Sequence, residues 1–383
     1  MSVTAARGFR AAGISAGVKA SGRDVALVVN DGPSDAAAAV FTANRVKAAP
    51  VLWSQQVVAD GRLRAVVLNS GGANACTGPA GFADTHATAE RVGKVLGIGA
   101  GEVAVCSTGL IGERLPIDAL LAGVDTAADA LSDTGGADAA DAIRTTDTIS
   151  KQSAVVHPDG WTVGGMAKGA GMLAPSLATM LCVLTSDAAA DPSTVDTSLR
   201  AATRTTFDRV DGDGCTSTND TVVLLANGAS GVQPRPAEFA AIVAEVCADL
   251  ARQLIADAEG ATKEVTIEVG SAASEDDAVD VGRAIARNNL LKCALFGNDP
   301  NWGRVLAAIG TTQAAFDPGQ LDVWINGVEV CRGGAAGEPR ELVDLSGRIV
   351  QIGVQLHAGN SGATILTNDL SHGYVEENSA YSS

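Results

Sequence analysis

Met180, Leu181, Cys182, Val183 and Leu184 form an unbroken apolar run, too short for a buried helix, and it predicts a strand covered on both faces. Such a strand needs a layer of structure on each side of its sheet. The composition can supply those layers: 46% of the 383 residues are hydrophobic and 19% are charged, which are globular rather than disordered proportions. Only 3% are aromatic while 44 are glycine, so the layers must meet through close backbone approach rather than large rings. The length predicts two domains, and a change of pattern just after Glu259 sets their join at 262/263.

Short β runs alternate with helical patterns along the first part. Strands are expected at 26–29, at 64–69 leading into the turn Ser70-Gly71-Gly72, at 103–107 and at 161–165. Helices are expected at 79–96, after Pro116 on the spacing of Ile117, Leu120, Leu121 and Val124, and at 236–255 with Phe239, Val243, Val246 and Leu250 inward. Residues 132–138 read as a surface loop, and 168–177 as a glycine-rich loop containing Pro175. The tail reads as a small α+β domain. It has a strand at 264–269, a helix capped by Ser274 and Asp277 and running to about 291, a hairpin turn at Asn326-Gly327, and alternation through Val350, Ile352, Val354 and Leu356.

Several classes are disfavoured. A net charge of −17 repels nucleic-acid phosphates and anionic membranes. No stretch approaches the roughly 20 apolar residues of a membrane span, and residues 1–10 lack a signal-peptide core, which predicts a cytoplasmic protein. The seven cysteines form no C-x-x-C pair, so most read as small buried hydrophobes. Asp211-Gly212-Asp213-Gly214 looks like the start of a calcium loop, but Cys215 and Val222 occupy ligand positions, and a tight turn is the better reading. There is no nucleophile elbow, phosphate loop or H-E-x-x-H, and His86, His157, His357 and His372 lack metal-ligand spacing. No metal is expected.

One segment remains unusual. Residues 168–180 bring a glycine-rich approach to Thr179, a hydroxyl residue heading the apolar strand. Attack of Thr179 Oγ on the carbonyl of Ala178, an N→O acyl shift and hydrolysis would free the α-amine of Thr179. That amine, with an ordinary pKa of about 7.7–8.0, would serve as base for its own hydroxyl. On spacing alone the plainer readings stand beside this one: Thr179 as a strand-initiating residue, Lys168 as a solvated loop charge, Thr108-Gly109 as a turn, and Glu259 as a surface carboxylate.

The motifs resemble one family closely. They include Asn69-Ser70-Gly71-Gly72-Ala73-Asn74, Ser107-Thr108-Gly109, Thr145-Thr146-Asp147-Thr148, residues 168–180, Ser217-Thr218-Asn219-Asp220-Thr221 and the terminal residues 378–383. Together with 8–13 and 44–50 they cover essentially the whole chain. The family is the arginine-biosynthesis glutamate N-acetyltransferases, also called ornithine acetyltransferases, which are often bifunctional with N-acetylglutamate synthase. The resemblance implies an α+β fold with a layered αββα, self-cleaving catalytic part and a smaller C-terminal domain. It implies cleavage between Ala178 and Thr179, an acetyl-Thr179 intermediate, and transfer of acetyl from N-acetylornithine to glutamate.

The same resemblance gives Thr108 and Gly109 the oxyanion hole, and places Thr145, Lys168, Thr179, Glu259, Asn378 and Ser383 around the substrate. Lys168 suits the α-carboxylate shared by ornithine and glutamate, and Glu259 suits the cationic side chain of ornithine. No cofactor is expected, with acetyl-CoA a second acetyl donor rather than a cofactor. The cleavage products are expected to stay together as α2β2. Two departures stand out: the chain ends in Ser383 where the family often has threonine, and Gly72 replaces a common asparagine. The rival readings are a self-cleaving aminopeptidase or amidase of related architecture, and a binding protein without catalysis.

Overall fold

A computed structural model describes residues 2–174 and 180–380. The chain divides into two compact units. The first takes the residues up to Asp208 together with Cys215–Leu254; the second takes Arg209–Gly214 together with the residues from Ile255 on. Against the join expected at 262/263, the second unit thus starts earlier and also claims a short distant segment. That segment is attached by the N–H of Asp211, which donates to the carbonyl of Leu366 at 2.8 Å.

In the first unit the described strands are β1 (Phe9–Ile14), β2 (Val25–Asn30), β3 (Ala36–Phe41), β4 (Ala65–Ser70), β5 (Val103–Thr108), β6 (Lys151–Val156), β7 (Thr162–Lys168), β8 (Leu181–Ser186) and β9 (Thr221–Ala226). The helices are α1 (Ala49–Val57), α2 (Gly78–Leu96), α3 (Ile117–Asp129), α4 (Gly136–Ala142), α5 (Pro192–Thr205) and α6 (Pro236–Ala256). One sheet runs β1-β2-β4-β5 and the other β3-β9-β8-β7-β6. The pairs β4–β5 and β8–β9 are parallel and the rest antiparallel.

Alternation along β2 shows how the layers stack. Val25, Leu27 and Val29 point to one side and pack with Ala89 and Val92 of α2 and Leu120 and Val124 of α3. Ala26 and Val28 point to the other and join Met166, Leu181, Val183, Val223 and Leu225 of the second sheet. The far face of that second sheet is covered by α6. A Cβ on Gly165 would stand 2.7 Å from Leu184 Cδ2, 3.1 Å from Leu250 Cδ1 and 3.3 Å from Val246 Cγ1, so the glycine lets the helix lie close. Helix, sheet, sheet and helix succeed one another, the layered αββα arrangement expected, with the 180–184 run inside it.

Two expectations in this unit are corrected. Residues 132–138 are not wholly a surface loop: α4 begins at Gly136 and its Ala139, Ala140 and Ala142 are buried. Glycines hid this helix, because they let it sit directly on β1; a Cβ on Gly13 would fall 1.9 Å from the carbonyl oxygen of Asp138. Lys168, read as the first residue of a glycine-rich loop, is the last residue of β7.

The second unit contains β10 (Glu264–Ala272), β11 (Asp322–Ile325), β12 (Val328–Arg332), β13 (Ala335–Ala336), β14 (Ile349–Gln355) and β15 (Ser361–Asn368), in the order β13-β12-β11-β14-β10-β15. Its helices are α7 (Glu275–Ala286), α8 (Asn289–Phe296), α9 (Trp302–Ile309) and α10 (His372–Ala380). Val265, Ile267, Val350, Ile352 and Ile365 meet Val281 and Ile285 in its core. The single helix expected from the Ser274 cap to about 291 is two helices. Ser274 does cap α7, but Asn288 Oδ1 accepts from the N–H of Leu291 at 3.0 Å and starts α8, a competition that the apolar pattern did not reveal.

Candidate active site

Thr108 ends β5 opposite Ser70 at the end of its parallel neighbour β4. The next residue, Gly109, has φ +129°, and a Cβ there would stand 2.6 Å from Gly72 N and 2.7 Å from Gly71 C. Only glycine fits so close to that turn. The approach is fixed from the other side by the N–H of Gly72, which donates to the carbonyl of Thr108 at 3.0 Å. Gly72 itself would drive a Cβ to within 2.6 Å of Leu115 Cδ2.

Lys168 comes from the other sheet and is 1% exposed. Its Nζ donates to Thr145 Oγ1 at 2.7 Å and to Thr108 Oγ1 at 3.2 Å. The structure thus brings Thr108, Thr145 and Lys168 together, and it corrects the reading of Lys168 as a solvated charge. Because Thr108 Oγ1 accepts from the ammonium, its own O–H is left to donate.

Beneath this group lies Asp147, 4% exposed. Its Oδ1 accepts from the N–H of Gly169 at 2.7 Å and from Lys151 Nζ at 2.6 Å, and its Oδ2 accepts from the N–H of Thr145 at 3.1 Å. Burial works to raise its pKa, but the charges of Lys168 and Lys151 and the hydrogen bonds from Lys151 and Gly169 overcome it and hold the carboxyl at about 2. A second acid, Asp220, precedes β9 and is fully buried; burial pushes its pKa well above the usual carboxylate range. Asn219 Nδ2 beside it donates to the carbonyls of Ser107 at 2.8 Å and Ala73 at 2.6 Å, tying the start of β9 to the end of β5.

Sequence reasoning did not single out Asp147, Lys151, Asn219 or Asp220 as site residues. Asp147 and Asp220 stood inside quoted motifs, but an acid in a run of threonines reads as a turn until β6 and β7 pair, with Lys151 opposite Ala167, and bring it under Lys168.

Ala178, Thr179 and Ser383 lie outside the described residues. Glu259 and Asn378 belong to the second unit, where Asn378 Nδ2 donates to Glu259 Oε2 at 2.9 Å. Among the described residues one group has the composition of a metal site: His157, Asp159 and Glu238, with ligand atoms within 4.8 Å of one another. Glu238 is paired with the Arg235 guanidinium, a charge that opposes a cation there.

The profile of the ArgJ family matches residues 10–383. The chain belongs to the ArgJ family. The arginine biosynthesis bifunctional protein ArgJ of Streptomyces coelicolor is 67% identical over 384 residues and that of Thermobifida fusca 65% identical over 383, each alignment covering 100% of both chains. Among solved structures, the ornithine acetyltransferase of Mycobacterium tuberculosis complexed with ornithine is 66% identical, covering 45% of this chain and 94% of that one, with a TM-score of 0.45. ArgJ membership bears out the resemblance drawn from the motifs, and makes the chain an acyltransferase enzyme. Thr108, Thr145, Lys168 and Asp147 all fall within the residues that the ArgJ profile matches.

Proposed function

We propose that the protein is a glutamate N-acetyltransferase of arginine biosynthesis that moves acetyl from N-acetylornithine to glutamate through an acetyl-Thr179 intermediate, after cutting its own chain between Ala178 and Thr179. The observation that carries this reading is the buried Lys168 ammonium held between the hydroxyls of Thr108 and Thr145. An amino acid's carboxylate needs a fixed cation, and an acyl-transfer oxyanion needs fixed donors. The names of the relatives, an arginine biosynthesis bifunctional protein and an ornithine acetyltransferase complexed with ornithine, support an ornithine-type substrate.

In the proposed self-cleavage, Thr179 Oγ attacks the Ala178 carbonyl, the peptide C–N bond breaks as the ester C–O bond forms, and water hydrolyses that ester. The freed α-amine then takes the hydroxyl proton as Thr179 Oγ attacks the acetyl carbonyl of N-acetylornithine, and passes it to the departing ornithine nitrogen. The glutamate amine attacks the acetyl ester, restoring the hydroxyl. Thr108 and the Gly109 N–H donate to the oxyanion in each tetrahedral step. Lys168 and Thr145 hold the α-carboxylate, Glu259 and Asn378 recognise ornithine's side chain, and Ser383 supplies a further hydroxyl contact. Acetyl-CoA would enter as a donor to the same Thr179, with no cofactor required, and the two fragments would remain together as α2β2 in the cytoplasm. No described helix is long and apolar enough to cross a membrane.

The test is intact-mass measurement followed by substrate addition. The purified chain of 38.4 kDa should yield fragments 1–178 and 179–383. N-acetylornithine alone should add one acetyl group to the second fragment, and glutamate should remove it as N-acetylglutamate. Parallel initial-rate plots at several glutamate concentrations are expected; intersecting plots with no acetylated fragment after rapid quenching would overturn the covalent route. Release of the acetyl group as free acetate, with none on glutamate, would instead identify a hydrolase.

A further inference from the structure

We infer that Asp147 is the positioning residue of this site, setting Lys168 and Thr145 against each other; the inference rests on the assignment of those two residues to the substrate carboxylate. Its carboxylate grips the backbone at Thr145 and beside Lys168. Oδ2 accepts the N–H of Thr145 itself at 3.1 Å, and Oδ1 accepts the N–H of Gly169, directly after Lys168, at 2.7 Å. The distance between the Thr145 hydroxyl and the Lys168 ammonium, 2.7 Å, is therefore set through a common anchor rather than by the two flexible side chains alone.

The anchor is itself tied to the sheet. Lys151, fully buried in β6, donates to Oδ1 at 2.6 Å, and β6 is paired to β7 with Lys151 opposite Ala167, one residue before Lys168. Asp147 thus joins the turn carrying Thr145 to two adjacent strands. The charge of Lys168 in turn helps to hold the Asp147 carboxyl ionised, so that both its oxygens can accept these donors. A carboxylate with three donors, buried beside a pair of substrate-facing groups, does what a supporting shell does at a preorganised site.

Two variants and one background test this in the full-length, processed enzyme. Asp147→Asn removes the charge, and Asp147→Glu keeps the charge that balances Lys151 while displacing both oxygens. Each should raise the KM for glutamate about tenfold, with kcat changing less, since small displacements of a binding group cost this much or more. In a Lys168→Met background, itself raised in KM, adding Asp147→Asn should change KM by less than about twofold, because residues acting through one another are not additive. KM within about twofold of wild type in Asp147→Glu, or a full tenfold further loss in the Lys168→Met background, would overturn the inference. Lys168→Met with wild-type KM would instead remove the substrate assignment on which it rests. Should Asp147→Asn fail to fold, Asp147→Glu reads out the same prediction.

Discussion

The N–H of Met180 donates to Oδ1 of the buried Asp220 at 2.9 Å, while the carbonyl of Met180 accepts from the N–H of Thr221 at 3.1 Å. The residue following Thr179 in sequence is pinned on both sides by the start of β9. Burial pushes the Asp220 carboxyl toward its protonated form, the Met180 N–H and the Lys168 charge pulling the other way without offsetting it. Asp220→Asn, which keeps a neutral group with an acceptor oxygen, should cost less than about 1 kcal/mol, whereas Asp220→Ala orphans a buried N–H and should cost about 1–3 kcal/mol. Urea unfolding of the two variants decides this. A larger loss for Asn than for Ala would mean that the carboxyl is needed ionised.

Thr108→Ala should slow both self-cleavage and acetyl transfer, each by about 10²–10³, the usual effect of removing one oxyanion donor. The hydroxyl is oriented for donation because it accepts from Lys168. Time courses of fragment appearance and of N-acetylglutamate formation check the two steps separately, and wild-type rates in both would remove Thr108 from the oxyanion hole.

Gly109→Ala should be destabilising although it adds a single methyl. The new Cβ would meet backbone atoms of Gly71 and Gly72, which cannot move aside as a flexible side chain would, and φ +129° is itself disfavoured for alanine. A loss of about 1–3 kcal/mol in thermal unfolding is expected, with a turnover defect like that of Thr108→Ala. Unchanged stability would mean that the turn accommodates a side chain.

Asp147 makes stability depend on acid. Its folded pKa of about 2 lies below its ordinary 3.8, so its contribution is fully present above about pH 4 and is lost as pH falls toward 2. At about 1.4 kcal/mol per pH unit this amounts to about 2 kcal/mol. The melting temperature of Asp147→Asn/Lys151→Met, which removes the buried pair together, should fall less between pH 4 and pH 2 than that of wild type.

The layered core was legible where every position of a strand is apolar, as in β8, or where turn chemistry is local, as at Asn326-Gly327 with φ +47° and +84°. It was not legible in β3, whose Ala36–Phe41 is largely alanine, a residue that favours helix and becomes a strand here only by pairing with β9. The site divides in the same way. Thr108-Gly109 follows a strand visible in the sequence. Lys168 looked solvated because its burial depends on β7 extending to it and on acceptors from two separate stretches of chain, at Thr108 and Thr145, neither within 20 residues of it. Asp147 and Asp220 acquire their roles only through partners that the fold supplies.

The strand order β3-β9-β8-β7-β6 alternates across position 178/179: β3, β6 and β7 precede it, and β8 and β9 follow. A processed molecule would therefore be held by two ladders, β3 with β9 and β7 with β8, running through the middle of one sheet. Drawing the halves apart would open four sticky edges at once, each offering unpaired amides and apolar side chains to any neighbour. Maturation would then be a one-way door. The mature enzyme's lifetime would be set by the height of its unfolding barrier, and once melted it would have to reassemble from two chains in competition with aggregation.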